Sequence, residues 1–333
     1  MSIQYQILGA AGRDNALLVY LHTGKAVDRL LFDCGDGCLA ALPFAEIQRI
    51  LHLCFSHLHM DHIGGFDSYF RCVYDRTNRP NRIWGPPETA RILQHRLQGF
   101  LWNLHEGKQA GWRVGDVFPD HLACTRFELN EAFAVAHPAG KKRFQRVLVQ
   151  TPAYTIETMH LDHLTPSLGY LVREAPRLNV DANRLPALGL RPGPWLKAVK
   201  TAPPEQKLLE IDGKPYELDL LRAALLTESP GDSIAYLTDF LLDDAAMAKL
   251  VPWLDGCKVI VCESAYRHAD LDLAHRNYHL TAPQAAELAA RAHAGKLFLI
   301  HLSDRYPPEQ WPELLAEARA VFPETYFPVQ WGI

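Results

Sequence analysis

The stretch Ser56-His57-Leu58-His59-Met60-Asp61-His62 constrains this chain more than any other. It places four metal-capable side chains within six residues, directly after the apolar run Ile50-Leu51-His52-Leu53-Cys54-Phe55. The run reads as a buried strand, and Gly64-Gly65 is expected to turn the chain sharply after the cluster. A strand that ends in a loop presents alternate side chains to one point in space. His57 and His59 are therefore expected to converge on one metal ion, leaving Asp61 and His62 for a second ion about 3.5–4 Å away. Imidazole nitrogens with a carboxylate oxygen suit zinc, with iron or manganese as substitutes.

At 333 residues, with 48% hydrophobic and 22% charged side chains, the chain can bury a large core and has an ordinary globular composition. No run of 18 apolar residues is present, and no basic-then-apolar leader opens the sequence. A cytoplasmic location with no membrane partner is the expectation. Seven cysteines, an odd number set mostly in apolar segments, fit buried free thiols in a reducing compartment. Cys34 and Cys38 flank Gly35-Asp36-Gly37, which reads as a turn. The net charge of −4 does not advertise a nucleic-acid binder, but the local distribution of charge matters more than its sum.

Ile3 to Leu8, Ala16 to Leu21 and Leu30 to Phe32 read as strands ahead of the metal cluster and suggest a mixed sheet. Asp33 is either a carboxylate that orients a ligating histidine or a solvated turn residue. Pro86 to Leu101 has helical spacing. Lys141-Lys142-Arg143 with Arg146 is read as a solvated basic face. Ala153 to Met159 forms a strand followed by His160-Leu161-Asp162-His163, and either histidine could complete the first metal's shell. Between 176 and 215, seven positive residues against four negative ones suggest a protruding basic arm or a disordered linker. Strands at Ser233–Thr238, Lys258–Cys262 and Lys296–Ile300 lead into Asp239, Glu263 and His301. Thr281 with Gln284 has the spacing of a capping box, which puts His279 just ahead of a helix.

The His-x-His-x-Asp-His string resembles the signature of the metallo-β-lactamase superfamily. Leu161-Asp162-His163 with Gly169-Tyr170, the Gly-Pro segment Leu190-Arg191-Pro192-Gly193-Pro194-Trp195, Asp239, Cys262-Glu263-Ser264-Ala265, His279 and His301-to-Tyr306 follow in the order seen in ribonuclease Z. The resemblance implies a four-layer αββα sandwich as a single domain over 1–333, with 176–215 as an inserted arm that grips tRNA. It selects His163 over His160. It further implies two zinc ions, manganese or iron being possible, one held by His57, His59 and His163 and the other by Asp61, His62 and His301, with Asp239 bridging.

By the same resemblance, water activated between the ions would hydrolyse a phosphodiester in the 3′ trailer of precursor tRNA. Asp61 would orient that water, and His279 would protonate the leaving oxygen with Glu263 behind it. Arg305, Lys197 and Trp195 are expected to contact substrate, and the assembly is expected to be a homodimer. The turn Thr238-Asp239-Phe240-Leu241 and the segment Cys262-Glu263-Ser264-Ala265 depart from the family's usual wording. Those departures leave a small phosphodiester or ester as an alternative substrate. A metal-binding protein that only grips RNA is a further alternative, which the intact ligand set and His279 argue against.

Overall fold

The computed structural model describes residues 3–24, 26–103, 105 and 107–333. The backbone separates into two compact units, one formed by 1–173 with 232–333 and the other by 174–231.

In the larger unit, strands Gln4–Gly9 (β1), Asn15–His22 (β2), Val27–Phe32 (β3), Ile50–Cys54 (β4), Asn81–Gly85 (β5), Gly111–Val117 (β6), His121–Glu128 (β7) and His137–Arg143 (β8) form one sheet in sequential order. The β3–β6 strands run parallel to one another, while the flanking pairs are antiparallel. Val147–Gln150 (β9), Tyr154–Asp162 (β10) and Pro166–Glu174 (β11) belong to a second sheet.

The smaller unit contributes Arg177–Val180 (β12), Leu208–Ile211 (β13), Lys214–Glu217 (β14) and Leu226–Ser229 (β15), where β12 pairs with β15 and β13 with β14. Leu185, Leu190, Val199, Ile211, Leu218, Leu221 and Leu225 give this unit a core of its own. The expected insertion over 176–215 lies inside it, and the unit continues to Gly231. It is folded because its leucines recur on helix Leu218–Leu225 at helical spacing and meet across the β13–β14 hairpin.

Ser233–Leu237 (β16), Val259–Glu263 (β17), Leu297–Ile300 (β18) and Thr325–Tyr326 (β19) complete the second sheet, in the order β19-β18-β17-β16-β11-β10-β9. Its parallel strands β16, β17 and β18 are nearly continuous apolar runs because both faces are covered, whereas β10 alternates. On β16, Ile234 and Tyr236 join the core shared with the larger sheet, while Ala235 and Leu237 pack under helices. On β2, Leu17 and Val19 face that shared core, and Ala16 and Leu18 face the other way. Helices Phe66–Val73 and Thr89–Gln98 cover the outer face of the larger sheet. Helices Asp244–Leu254, Ala282–Arg291 and Trp311–Arg319 cover the outer face of the other. The layers are αββα.

Local readings needed adjustment in three places. The helix expected from Pro86 begins at Thr89, because Pro86-Pro87 lead into a left-handed Glu88 with φ of 82°. The strand expected over Ala153–Met159 continues to Asp162 and carries His160 with it. Gly64 and Gly65 have ordinary negative φ, so conformational freedom is not their use. A Cβ on Gly65 would stand 2.3 Å from the Gly35 carbonyl oxygen, so a side chain there would push the loop after β3 away from the metal loop.

Phe66 is fully buried and its ring meets those of Phe55, Tyr69, Phe70 and Trp112. Phe66→Ala should cost about 3–5 kcal/mol through the cavity it leaves, read as a lower midpoint in urea unfolding. A loss below about 1 kcal/mol would mean that this outer layer is not tightly packed.

Candidate metal centre

The functional loops follow strand ends at one edge of the sandwich, where open α/β sheets bind ligands. Asp33 follows β3, His57 to His62 follow β4, His163 follows β10, Asp239 follows β16, Glu263 ends β17 and His301 follows β18. Asp33, Asp239 and His301 have left-handed backbones, with φ of 58°, 54° and 55°. Asp and His tolerate this region better than most residues, yet each instance still costs on the order of 1–3 kcal/mol. Hydrogen bonds hold these turns. The Asp33 N–H donates to the Cys54 carbonyl at 2.8 Å, and His301 N–H to Asn15 Oδ1 at 2.9 Å. Beyond Asp239, Phe240 N–H donates to Glu263 Oε1 at 2.9 Å and Leu241 N–H to the Asp162 carbonyl at 2.8 Å.

These turns bring the donors into two clusters, His57 with His59 and His163, and Asp61 with His62, Asp239 and His301; a further grouping, Asp239 with Glu263, His279 and His301, overlaps the second. Within each, one ligand atom per residue lies within 4.8 Å of all the others. Asp239 sits between them. Its Oδ2 is 3.6 Å from His57 Nε2, 3.6 Å from His163 Nε2 and 3.4 Å from His62 Nε2, and its Oδ1 is 3.5 Å from His301 Nε2. Most of these separations exceed a good hydrogen bond. They match the edge of a tetrahedron with bonds of ~2.1 Å, which is about 3.4 Å.

The far side of three imidazoles is occupied, whereas His301 Nδ1 is buried without a partner among the described residues. Ser56 Oγ lies 3.1 Å from His57 Nδ1, Asp33 Oδ2 2.7 Å from His62 Nδ1, and the Tyr278 carbonyl 2.8 Å from His163 Nδ1. That leaves Nε2 of those three rings aimed into the site. His57 Nε2 is buried with no hydrogen-bond partner among the described residues, and His62 Nε2, 3.1 Å from Asp61 Oδ2, lacks a well-directed one. Buried polar atoms are ordinarily satisfied, so these two atoms together with the donor set fit metal ions.

The electrostatics agree. Burial, then the neighbouring His62, pushes His57 down to about 2, which keeps it a neutral ligand. Burial works against charge on Asp61, yet hydrogen bonds to His301 and His62 hold its carboxyl well below the usual range. Asp239 is likewise held low, by His301 and His62, in spite of burial. Two ionised carboxylates in a buried pocket attract positive charge, whether as protons on His62 and His301 or as cations.

Glu263, fully buried, accepts from His279 Nδ1 at 2.8 Å. Burial alone would lower His279, but the Glu263 carboxylate outweighs it and raises the ring to about 9. His279 borders a cleft of about 290 Å³ with Arg13, Asp61, Tyr266, His301 and Asp304. Arg305 is exposed and outside that lining, so the arginine bordering the cleft is Arg13. His160 joins neither cluster. Trp195 and Lys197 lie on helix Trp195–Thr201 of the smaller unit, and the Trp195 indole donates to the Arg191 carbonyl at 3.2 Å. A larger cavity of about 590 Å³, lined by Phe70, Tyr74 and Trp102, lies away from both clusters.

Asp33, which the sequence alone does not place, supports the site together with Ser56, Tyr236 and Asn15, none of which stands in a motif. Asp33 is fully buried and accepts from Ser56 N–H at 2.6 Å, Ser56 Oγ at 2.7 Å and Tyr236 Oη at 3.0 Å, besides meeting His62. The alternation that turns Tyr236 inward on β16 was the available signal.

Fold and site together define a metallo-β-lactamase-fold hydrolase that binds divalent metal. The chain is 49% identical to ribonuclease Z of Deinococcus radiodurans, over 98% of this chain and 97% of that protein. It is 27% identical to ribonuclease Z of Prochlorococcus marinus strain MIT 9303, covering 93% and 89%. A family model described as anti-Pycsar protein Apyc1 matches residues 13–187, more than half of the chain. Among solved structures, the fold resembles the Bacillus subtilis metallo-β-lactamase fold protein YhfI, with a TM-score of 0.56 at 15% identity, covering 98% and 96%. It also resembles the short form of human tRNase Z, with a TM-score of 0.51 at 17% identity, covering 92% and 94%. The chain belongs to the ribonuclease Z family, and to the family which that model describes.

Asp33→Asn keeps a residue that tolerates the left-handed turn but replaces one acceptor oxygen with a donor. Metal affinity should fall about 10–100-fold, measured by competition with a chromogenic chelator. Unchanged affinity would show that Asp33 does not orient His62.

Proposed function

We propose that this chain is a two-metal phosphodiesterase that cuts precursor tRNA on the 3′ side. One observation carries the reading: Asp239 lies 3.4–3.6 Å from histidines of both donor clusters, and the His279–Glu263 pair stands beside them. Family membership supplies the RNA substrate. His57, His59 and His163 would hold one ion and Asp61, His62 and His301 the other, with Asp239 available to both. Zinc suits this nitrogen-rich set, and manganese or iron could replace it. When bound, the ions supply Lewis acidity and neutralise charge that develops on the phosphoryl oxygens.

The protein's own groups do the rest. Asp61, partly exposed beside the cleft, presents a carboxylate oxygen that orients the attacking water and accepts its hydrogen bond. His279 keeps Nδ1 on Glu263, so the proton on Nε2 is the one free to move to the leaving 3′ oxygen. Glu263 also braces the turn after Asp239 through Phe240 N–H, so acid and bridging carboxylate are set by one side chain. Arg13, at the edge of the cleft, is better placed than Arg305 to meet a phosphoryl oxygen. Trp195 and Lys197 are assigned to RNA contact as part of the smaller unit, and the assembly is taken to be a homodimer, which light scattering checks directly.

The deciding experiment is cleavage of a 3′-extended precursor tRNA by zinc- or manganese-loaded protein. His279→Ala should lower turnover by about 10²–10⁴-fold while metal content stays the same. A loaded wild-type protein that hydrolyses a chromogenic phosphodiester but leaves the tRNA intact would move the substrate to small phosphodiesters.

A further inference from the structure

The basic run Lys141-Lys142-Arg143 closes β8, and the fold sets it beside cations from other strands of the larger sheet. Register places His52 opposite Arg82, Arg82 opposite Arg113, and Arg113 opposite Arg126. Three guanidinium groups therefore stand in one row across β5, β6 and β7, at a strand spacing of about 4.8 Å. Like charges set directly opposite one another destabilise a sheet, so such a row needs a compensating use. Alternation puts these arginines on the face that carries Trp84, Val117 and Leu122, the side toward the second sheet.

Near the edge strand β9 this face opens into a cleft of about 370 Å³. Arg82, Arg113, Lys141 and Lys142 line it, with Trp84 and His52 in its lining as well and no carboxylate among the described lining residues. Arg126 is paired with Glu128 at 2.6 Å, but none of the other four has an ion-pair or hydrogen-bond partner among the described residues. His52 adds no charge, because burial and Arg82 push it down to about 3 and its Nδ1 accepts from Trp84 Nε1 at 2.9 Å. The nearby carboxylates are engaged elsewhere: Asp116 with Ala90 N–H, Asp120 with His121 and Asp28 with Tyr154 Oη.

We propose that this cleft is a second RNA-contacting surface, which holds the phosphodiester backbone of the substrate at a distance from the bond that is cut. The proposal rests on reading the chain as an enzyme of RNA. The cations are strung across strands instead of converging on a point, which suits successive phosphates of a chain better than one small anion. His52, which pairs with Arg82, lies five residues before His57. That separation is at most about 17 Å along the strand, and because Arg82 and Arg113 lie near the starts of β5 and β6 while the metal loops follow strand ends, RNA that meets both would pass around the sandwich.

The test is binding of 3′-extended precursor tRNA over a salt series, in a His279→Ala background so that no turnover occurs. Added to it are Arg113→Gln with Lys142→Gln, both exposed, and separately the triple variant that includes Arg82→Gln. The double variant should weaken Kd about ten-fold at low salt and lower the slope of log Kd against log salt by about 1.5–2. With His279 intact, the same double variant should hydrolyse bis(p-nitrophenyl) phosphate at the parent rate, which also shows that it is folded.

A double variant that binds tRNA with the parent's Kd and slope overturns the proposal. So does one that binds tRNA normally but loses binding of inorganic phosphate, since the cleft would then serve a small anion. If the double variant lowers affinity and slope as expected but wild-type protein cuts no tRNA, the RNA-cleavage reading fails and this surface stands.

Discussion

A single buried carboxylate, Asp33, ties the two sheets and the metal loop together. It follows β3 of the larger sheet, takes hydrogen bonds from Ser56 and Tyr236, and meets His62 Nδ1. Tyr236 belongs to the other sheet and Ser56 opens the metal loop, so three segments distant in sequence converge on two oxygen atoms. A buried charge is tolerated only where hydrogen bonds replace its hydration, and here they do so from several directions. Every donor that reaches Asp33 is therefore fixed in place by the same penalty that would follow from its removal. Assembly of the sandwich and orientation of the ligands are one event.

Much of this could be read in the chain. Continuous apolar runs that end in histidine or carboxylate mark strands buried on both faces, and loops that emerge at one edge. That pattern alone put His57, His59, Asp61, His62, Asp239 and His301 at strand ends. The choice of His163 over His160 was not available from pattern, because the strand continues through His160 and a strand's end is set by pairing between neighbours. Resemblance supplied it. Asp33 stayed ambiguous for a related reason, since an aspartate in a turn looks the same whether water or Tyr236 meets its oxygens.

Charge is where linear reading fell shortest. Arg82, Arg113 and Arg126 are scattered through the sequence, and only the register of four strands reveals them as a row. The run at 141–143 is the solvated face that the sequence suggests, and what the sequence could not show is which cations of other strands stand beside it. By contrast, the compositional shift after Pro176 was visible, yet it could not distinguish a linker from a folded unit. The leucines of helix Leu218–Leu225, past the stretch whose charge drew attention, complete that unit's core.

The left-handed turns at Asp33, Asp239 and His301 carry a consequence for any attempt to evolve or engineer this protein. Glycine would relax each backbone, but at Asp33 it would also leave Ser56 N–H, Ser56 Oγ, Tyr236 Oη and His62 without their buried acceptor, at about 1–3 kcal/mol for each unsatisfied group. Selection for heat resistance alone would therefore keep the aspartate. At this turn the demands of folding and of ligand orientation fall on the same two oxygen atoms.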